Sequence, residues 1–242
     1  MTWAVHCFKA YDIRGIAHSE LDTSFAERLG YALATFLDCS ALAVGRDIRE
    51  SSPDLHAAFV KGLTSIGVDV HDLGICTTGA LYHATSSLKV DGGVMITASH
   101  NPPEYNGFKM CRGTAAMAGA EIQDLRAVFE SGNFRKSNAS GSHIILDDFT
   151  NQHLEAVVSA TGNISRSVNA VIDSANAVPG PFMVALAEML GSTGESIHCQ
   201  WDNTFPNHPP DPTRPKNMVD LAKAVVTSGA EFGVGVDGDG DR

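Results

Sequence analysis

Short apolar runs alternate with segments whose apolar residues recur at helical spacing along most of the chain. ALAVGRD (41–47) reads as a buried strand opening into a loop. SSPDLHAAFVKGLTSIG (51–67) reads as a helix, with Ser51 or Ser52 as its cap, Pro53 in the first turn and Gly67 as its stop. VDVHDLG (68–74) is the next strand, TTGALYHATSSL (77–88) a helix capped by Thr77 or Thr78, and VDGGVMITASHN (90–101) a strand that ends in polar residues. FKMC (108–111) resumes extended structure, and AGAEIQDLRAVFESG (118–132) is a helix closed by Gly132. NFRKSNASGSH (133–143) is polar and small, and reads as a linker or exposed loop.

The second half repeats the plan. DDFTNQHLEAVVSA (147–160) starts a helix capped by Asp148 or Thr150. VNAVIDSAN is strand then loop, VPGPFMVALAEMLG loop then helix, and ESIHCQ a strand. FPNHPPDPTRP excludes helix, KNMVDLAKAVVTSG carries Met218, Leu221, Ala222, Val225 and Val226 at helical spacing, and AEFGVGVDGDGDR is a strand opening into a loop. Such alternation predicts an α/β fold: two similar α/β/α layered domains with mostly parallel mixed sheets, over 1–145 and 146–242, the second incomplete. Ligands of parallel α/β sheets bind at the carboxyl ends of the strands. TASHN and DGDGDR occupy corresponding strand ends in the two halves.

Composition narrows the function classes. With 242 residues, 43% hydrophobic and 19% charged, the chain has the profile of a globular protein with an adequate core. A net charge of −11 disfavours nucleic acid as a partner. The few basic groups Arg14, Arg46, Arg49, Lys109 and Arg242 are read as loop residues, which suits a small anionic ligand. Five widely spaced cysteines without a CxxC signal neither a disulfide framework nor a zinc site and fit a reduced cytoplasm. No apolar signal-peptide core opens the chain, and no stretch is long enough to span a membrane, so no membrane partner is expected.

Asp237, Asp239 and Asp241 alternate with glycines, and three like charges in five residues order best around a hard cation, Mg²⁺ or Ca²⁺. An EF-hand needs Gly where Arg242 stands, so that reading fails; a solvated acidic turn is the competing one. Ser99 follows a buried strand and precedes Pro102–Pro103, which predicts a rigidly held hydroxyl presented outward as nucleophile or phosphate carrier. His100 is placed to orient it, and Lys109 to neutralise phosphate or exchange a proton. A capped turn would use the same residues, and no GxSxG elbow supports a hydrolase. Arg14, beside Gly15, and Arg46 offer guanidinium forks for phosphate, with ordinary ion pairs as the alternative. The other histidines, His198 and His208 among them, show no ligand spacing and are read as surface or core residues.

FKAYDIRG, VGRDIRESSP, GVMITASHNPPEYNGFK and GVGVDGDGDR, in that order, resemble the α-D-phosphohexomutase superfamily, most closely its bacterial phosphomannomutase/phosphoglucomutase branch. The YDIRG and PPEYNGFK forms favour that branch over phosphoglucosamine mutases, which remain the alternative within enzymes. The resemblance implies interconversion of hexose 1- and 6-phosphates, of mannose and/or glucose, through a phosphoserine and a hexose 1,6-bisphosphate. It implies Ser99 as the phosphorylated residue, and Mg²⁺ held by Asp237, Asp239, Asp241 and a phosphate oxygen on Ser99. Arg14, Lys109 and Arg242 are then substrate-binding groups, Lys109 also a candidate general acid/base, and His100 supports the serine loop. Ser174 and Ala175 depart from the more Gly-containing turn expected there. Such mutases have four domains, so this chain is expected to be an N-terminal half, truncated at the metal loop and weakly active or inactive alone. The reading from another class is a non-catalytic Mg²⁺- or phosphosugar-binding fragment that needs a separate C-terminal half or self-associates through its open edge.

Overall fold

The computed structural model describes residues 3–162 and 164–242. Met1 and Thr2, the first residues of the start in which no signal-peptide core was read, lie outside that range. Two compact units divide the chain: Met1–Ala98 with Glu104–Asp147, and Ser99–Pro103 with Asp148–Arg242.

The first unit runs β1 (Ile13–Ile16), α1 (Thr23–Leu37), β2 (Ala41–Arg46), α2 (Ser52–Thr64), β3 (Asp69–Ile75), α3 (Thr78–Ser87), β4 (Gly92–Ile96), β5 (Tyr105–Arg112), β6 (Ala115–Ala116), α4 (Ala120–Ser131) and β7 (His143–Ile145). Its sheet has the order β1-β5-β4-β2-β3-β7, with β6 paired to β5. Pairing is parallel from β4 to β7 and antiparallel wherever β5 takes part. β4 is buried at every position, as expected of a central strand covered on both faces. α1 starts at Asp22, whose carboxylate accepts the Phe25 N–H at 2.7 Å, and buries Phe25, Leu29 and Leu33. Phe25 meets Phe129 of α4 with ring centroids 4.8 Å apart. α1 and α2 touch at the backbone: a Cβ on Gly62 would come within 2.2 Å of the Glu27 carbonyl oxygen.

Thr77 caps α3, accepting the Ala80 N–H at 3.2 Å. The expected serine cap on α2 is not made. Ser51 stands at the cap position without a capping hydrogen bond, its backbone already helical at φ −80° and ψ −13° rather than extended, and Asn106 Nδ2 donates to both Ser51 Oγ (2.8 Å) and Ser52 Oγ (2.9 Å). Ser52 Oγ in turn donates to Asp47 Oδ1 at 2.5 Å. The polar stretch 133–143 is also more ordered than a linker. The Gly141 N–H donates to Thr64 O, the Ser142 N–H to Asp69 Oδ1, and His143 opens β7 at the sheet edge.

The second unit runs α5 (Phe149–Thr161), β8 (Ala170–Asp173), α6 (Gly180–Met189), β9 (Ser196–Ile197), α7 (Val219–Ser228) and β10 (Phe232–Gly235), with the wholly parallel order β10-β8-β9. Asp148 sits at the start of α5 but turns its carboxylate to Asn151 Nδ2 rather than to a backbone N–H. The expected strand ESIHCQ is cut to two residues because His198 takes a φ of 50°, outside the β region. The repeat read in the sequence is visible in the topology. β4-β2-β3 of the first sheet and β10-β8-β9 of the second have the same order, each built strand, helix, strand, helix, strand. Among the described residues no helix is long and apolar enough to cross a membrane.

Candidate phosphoryl and metal site

The loops that follow β4 and β10 carry the candidate chemistry. Three residues beyond the end of β4, Ser99 adopts a left-handed φ of 52°, a conformation that side chains other than glycine enter at a cost. It is not presented outward as the sequence suggested. Ser99 is fully buried, and its hydroxyl donates to Asp237 Oδ2 at 2.6 Å. The approach depends on Gly238, where even a methyl group would come within 2.0 Å of the Ser99 carbonyl oxygen.

Asp237 organises its own loop. Its other oxygen, Oδ1, accepts backbone N–H groups of Gly240 (3.1 Å), Asp241 (3.1 Å) and Arg242 (3.2 Å), so the carboxylate charge is spread over a ring of amides. Gly240, at φ 77°, supplies the reversal that lets three successive amides converge. Asp239 is as fully buried as Asp237, and Asp241 is exposed. One oxygen from each of the three aspartates lies within 4.8 Å of the others. An octahedral Mg²⁺ keeps its ligand oxygens about 3–4 Å apart and takes hard oxygen donors, so this donor set fits that ion in chemistry and span.

Arg242 completes the cluster. Its Nη1 donates to His100 Nδ1 at 2.6 Å, and His100 Nδ1 lies 3.2 Å from Ser99 Oγ. Because a guanidinium only donates, His100 Nδ1 is an acceptor here. Serine, histidine, aspartates and arginine thus meet within the second unit.

Arg14 and Lys109 lie in the first unit, on β1 and β5 rather than in loops. Arg14 is largely buried, ion-paired with Asp12, and donates from Nη1 to the Ala98 carbonyl at 3.1 Å, one residue before Ser99. Arg46 ends β2 and donates to the Asp47 carbonyl. Arg49 does not fit the reading of a loop cation for a ligand. It is 1% exposed, its Nε is 3.1 Å from Asp47 Oδ2, and Nη1 donates to Tyr105 O. All five cysteines are free, and burial pushes the thiols of Cys7, Cys39 and Cys111 up to about 11 and Cys76 to about 12, which removes them as nucleophiles near neutral pH.

Residues 5–136 match the family model described as "Phosphoglucomutase/phosphomannomutase, alpha/beta/alpha domain I", and residues 147–242 match the corresponding domain II. The chain belongs to the phosphoglucomutase/phosphomannomutase family. Within that family it is 40% identical over 240 residues to a phosphoglucomutase of Neisseria meningitidis serogroup B, covering 97% of this chain and 51% of the relative. It is 37% identical over 241 residues to a phosphomannomutase/phosphoglucomutase of Pseudomonas aeruginosa, covering 97% and 50%. A crystal structure of a phosphoglucomutase/phosphomannomutase family protein from Burkholderia thailandensis matches with a TM-score of 0.94 and 37% identity, over 100% of this chain and 54% of that one. The chain spans about half the length of the curated relatives it matches.

The sequence reading named most members of this cluster but missed two relationships. It did not foresee that Asp237 touches Ser99 directly, or that Gly238 makes the approach. The alternation of Gly with Asp was the available signal, since a loop that meets another backbone needs positions without Cβ.

Proposed function

We propose that the chain carries the phosphoserine and metal half of a phosphohexomutase active site, acting on hexose 1- and 6-phosphates of glucose and/or mannose. The observation that carries the reading is the 2.6 Å bond from Ser99 Oγ to a carboxylate belonging to a three-aspartate cluster. A hydroxyl bound to a buried carboxylate is oriented, and its proton has an acceptor. The bond belongs to the unphosphorylated serine, because phosphoserine has no such proton to donate. With the phosphoryl group in place Asp237 Oδ2 would lose this proton donor and would be available to hold a metal ion.

Asp237, Asp239, Asp241 and an oxygen of phosphorylated Ser99 would hold Mg²⁺, which would offset the charge of the transferring group. In the transfer the P–O bond to Ser99 Oγ breaks and a P–O bond to a sugar hydroxyl oxygen forms; the sugar hydroxyl proton passes to a base, for which Lys109 is the candidate, and the released Ser99 oxygen takes up a proton to become the hydroxyl again. The other phosphoryl group of the bisphosphate then returns to Ser99. Arg242 and His100 position the serine loop, and Arg14 offers its guanidinium to phosphate. A second reading rests on the same cluster: binding of Mg²⁺ and phosphosugar without turnover.

Intact-mass analysis after incubation with Mg²⁺ and glucose 1,6-bisphosphate tests the reading. One added phosphate mapped to Ser99, absent in Ser99→Ala and suppressed by a chelator, supports it. No phosphate on the folded protein moves the second reading ahead.

A further inference from the structure

We propose that Asp173, His198 and His208 form a second metal site, of nitrogen-and-oxygen donor type and suited to Zn²⁺. Asp173 ends β8 and is 1% exposed. His198 follows β9, and β8 and β9 are parallel neighbours with Asp173 level with Ile197. His208 comes in from the Pro-rich loop. One ligand atom from each lies within 4.8 Å of the others. A tetrahedral Zn²⁺ with bonds of about 2.0–2.2 Å keeps its ligands about 3.3–3.5 Å apart, so small side-chain rotations close the set.

The hydrogen bonds prepare these atoms for an ion. His208 Nδ1 is 2.9 Å from the Pro209 carbonyl, which only accepts, so the proton sits on Nδ1. A backbone carbonyl at one ring nitrogen is the arrangement that fixes a metal-binding histidine's tautomer and turns the other nitrogen to the ion. That other nitrogen, Nε2, lies 3.0 Å from Asp173 Oδ2, while Asp173 Oδ1 accepts the Ala175 N–H. An imidazolium–carboxylate pair would account for this contact, but it leaves His198 unexplained. His198 Nε2 is a buried atom with no hydrogen-bond partner among the described residues. The carboxylate oxygen Asp220 Oδ2 on α7 is 3.7 Å away, too far for a hydrogen bond. The His198 and His208 rings stand nearly perpendicular with centroids 5.6 Å apart, an edge-to-face contact that keeps the two imidazoles adjacent.

Imidazole selects borderline metals such as Zn²⁺, while the all-oxygen aspartate loop suits Mg²⁺. The two sites therefore separate by competition. An ion at this site would tie the ends of β8 and β9 to the Pro-rich loop and would raise the melting temperature by mass action.

The test is a Zn²⁺ titration of the full chain in excess Mg²⁺, by calorimetry and thermal melting. One Zn²⁺ per chain that resists Mg²⁺ and raises the melting temperature is expected. His198→Ala should weaken its binding by at least about 100-fold, more than loss of an outer-shell group costs, and abolish the thermal shift. Asp241→Asn should leave both intact. His198→Gln and His208→Gln, each checked by circular dichroism, repeat the reading if His198→Ala does not fold. Three results overturn the site. They are absence of Zn²⁺ binding by the wild type, displacement of all Zn²⁺ by Mg²⁺, and undiminished binding by the folded histidine variants, which would place the ion at the aspartates or at the His6, Cys7 and Glu20 group.

Discussion

The Gly238 backbone faces the Ser99 carbonyl so closely that an added Cβ would sit 2.0 Å from that oxygen. The obstacle is backbone on both sides, so a substituted side chain cannot swing away. Gly238→Ala is expected to destabilise the protein by about 1–3 kcal/mol, as overpacking does. Urea denaturation reads it as a lower midpoint; an unchanged midpoint would show that the two loops part without cost.

Asp237→Asn keeps the shape of the side chain and removes its charge. Mg²⁺ affinity, measured calorimetrically, is expected to fall by at least about tenfold, since even outer-shell changes at metal sites cost that much. Equal affinity in the variant would contradict the assignment of Asp237 as a ligand.

Arg49 and Asp47 are both buried, and Asp47 also accepts the Arg49 N–H and the Ser52 hydroxyl. Asp47→Ala leaves a guanidinium in the interior without its carboxylate, a change that costs about 3–5 kcal/mol. Replacing both residues, as in Asp47→Ala with Arg49→Met, should recover part of that loss in the same unfolding assay.

The Glu231 carboxyl is held down from 4.5 to about 2, first by its hydrogen bonds from Arg166 and then by the Asn169 N–H. A depressed carboxyl contributes stability that is complete above its unfolded value and is lost as pH falls through the folded one. The difference in melting temperature between wild type and Glu231→Gln should be constant above about pH 5 and shrink between 4.5 and about 2. The pair is exposed, so the difference is small and should fall further in high salt. A difference that grows toward low pH would reverse the assignment.

Ala175 holds a φ of 50° while 1% exposed. The left-handed region costs a residue with a Cβ about 1–2 kcal/mol, partly offset by the greater freedom of glycine in the unfolded chain. Ala175→Gly is expected to raise stability by about 0.5–1 kcal/mol, read as a higher melting temperature.

That last position stood out only through the family resemblance, as a turn lacking the glycine expected there. The alternating strands and helices were legible in the sequence itself, because central strands such as Val94–Ile96 and amphipathic helices such as α1 are written in local periodicity. What failed was what depends on partners distant in sequence. Ser51 looked like a helix cap, and Asn106 claims it instead. Arg49 looked like a ligand-binding cation, and Asp47 and Tyr105 enclose it. Ser99 was expected to face outward because Asp237 cannot be placed beside it from local pattern. His198 and His208 carry no ligand spacing, since a strand end brings one and the Pro-rich loop the other to Asp173.

The Ser99–Asp237 hydrogen bond joins positions 138 residues apart. Closing a loop of that length costs roughly 4 kcal/mol of chain entropy before any contact repays it. During synthesis the serine leaves the ribosome long before the aspartate that holds it exists. The nascent chain must therefore carry its TASHN loop without its anchor, and the site becomes one of the last features to form on the folding pathway.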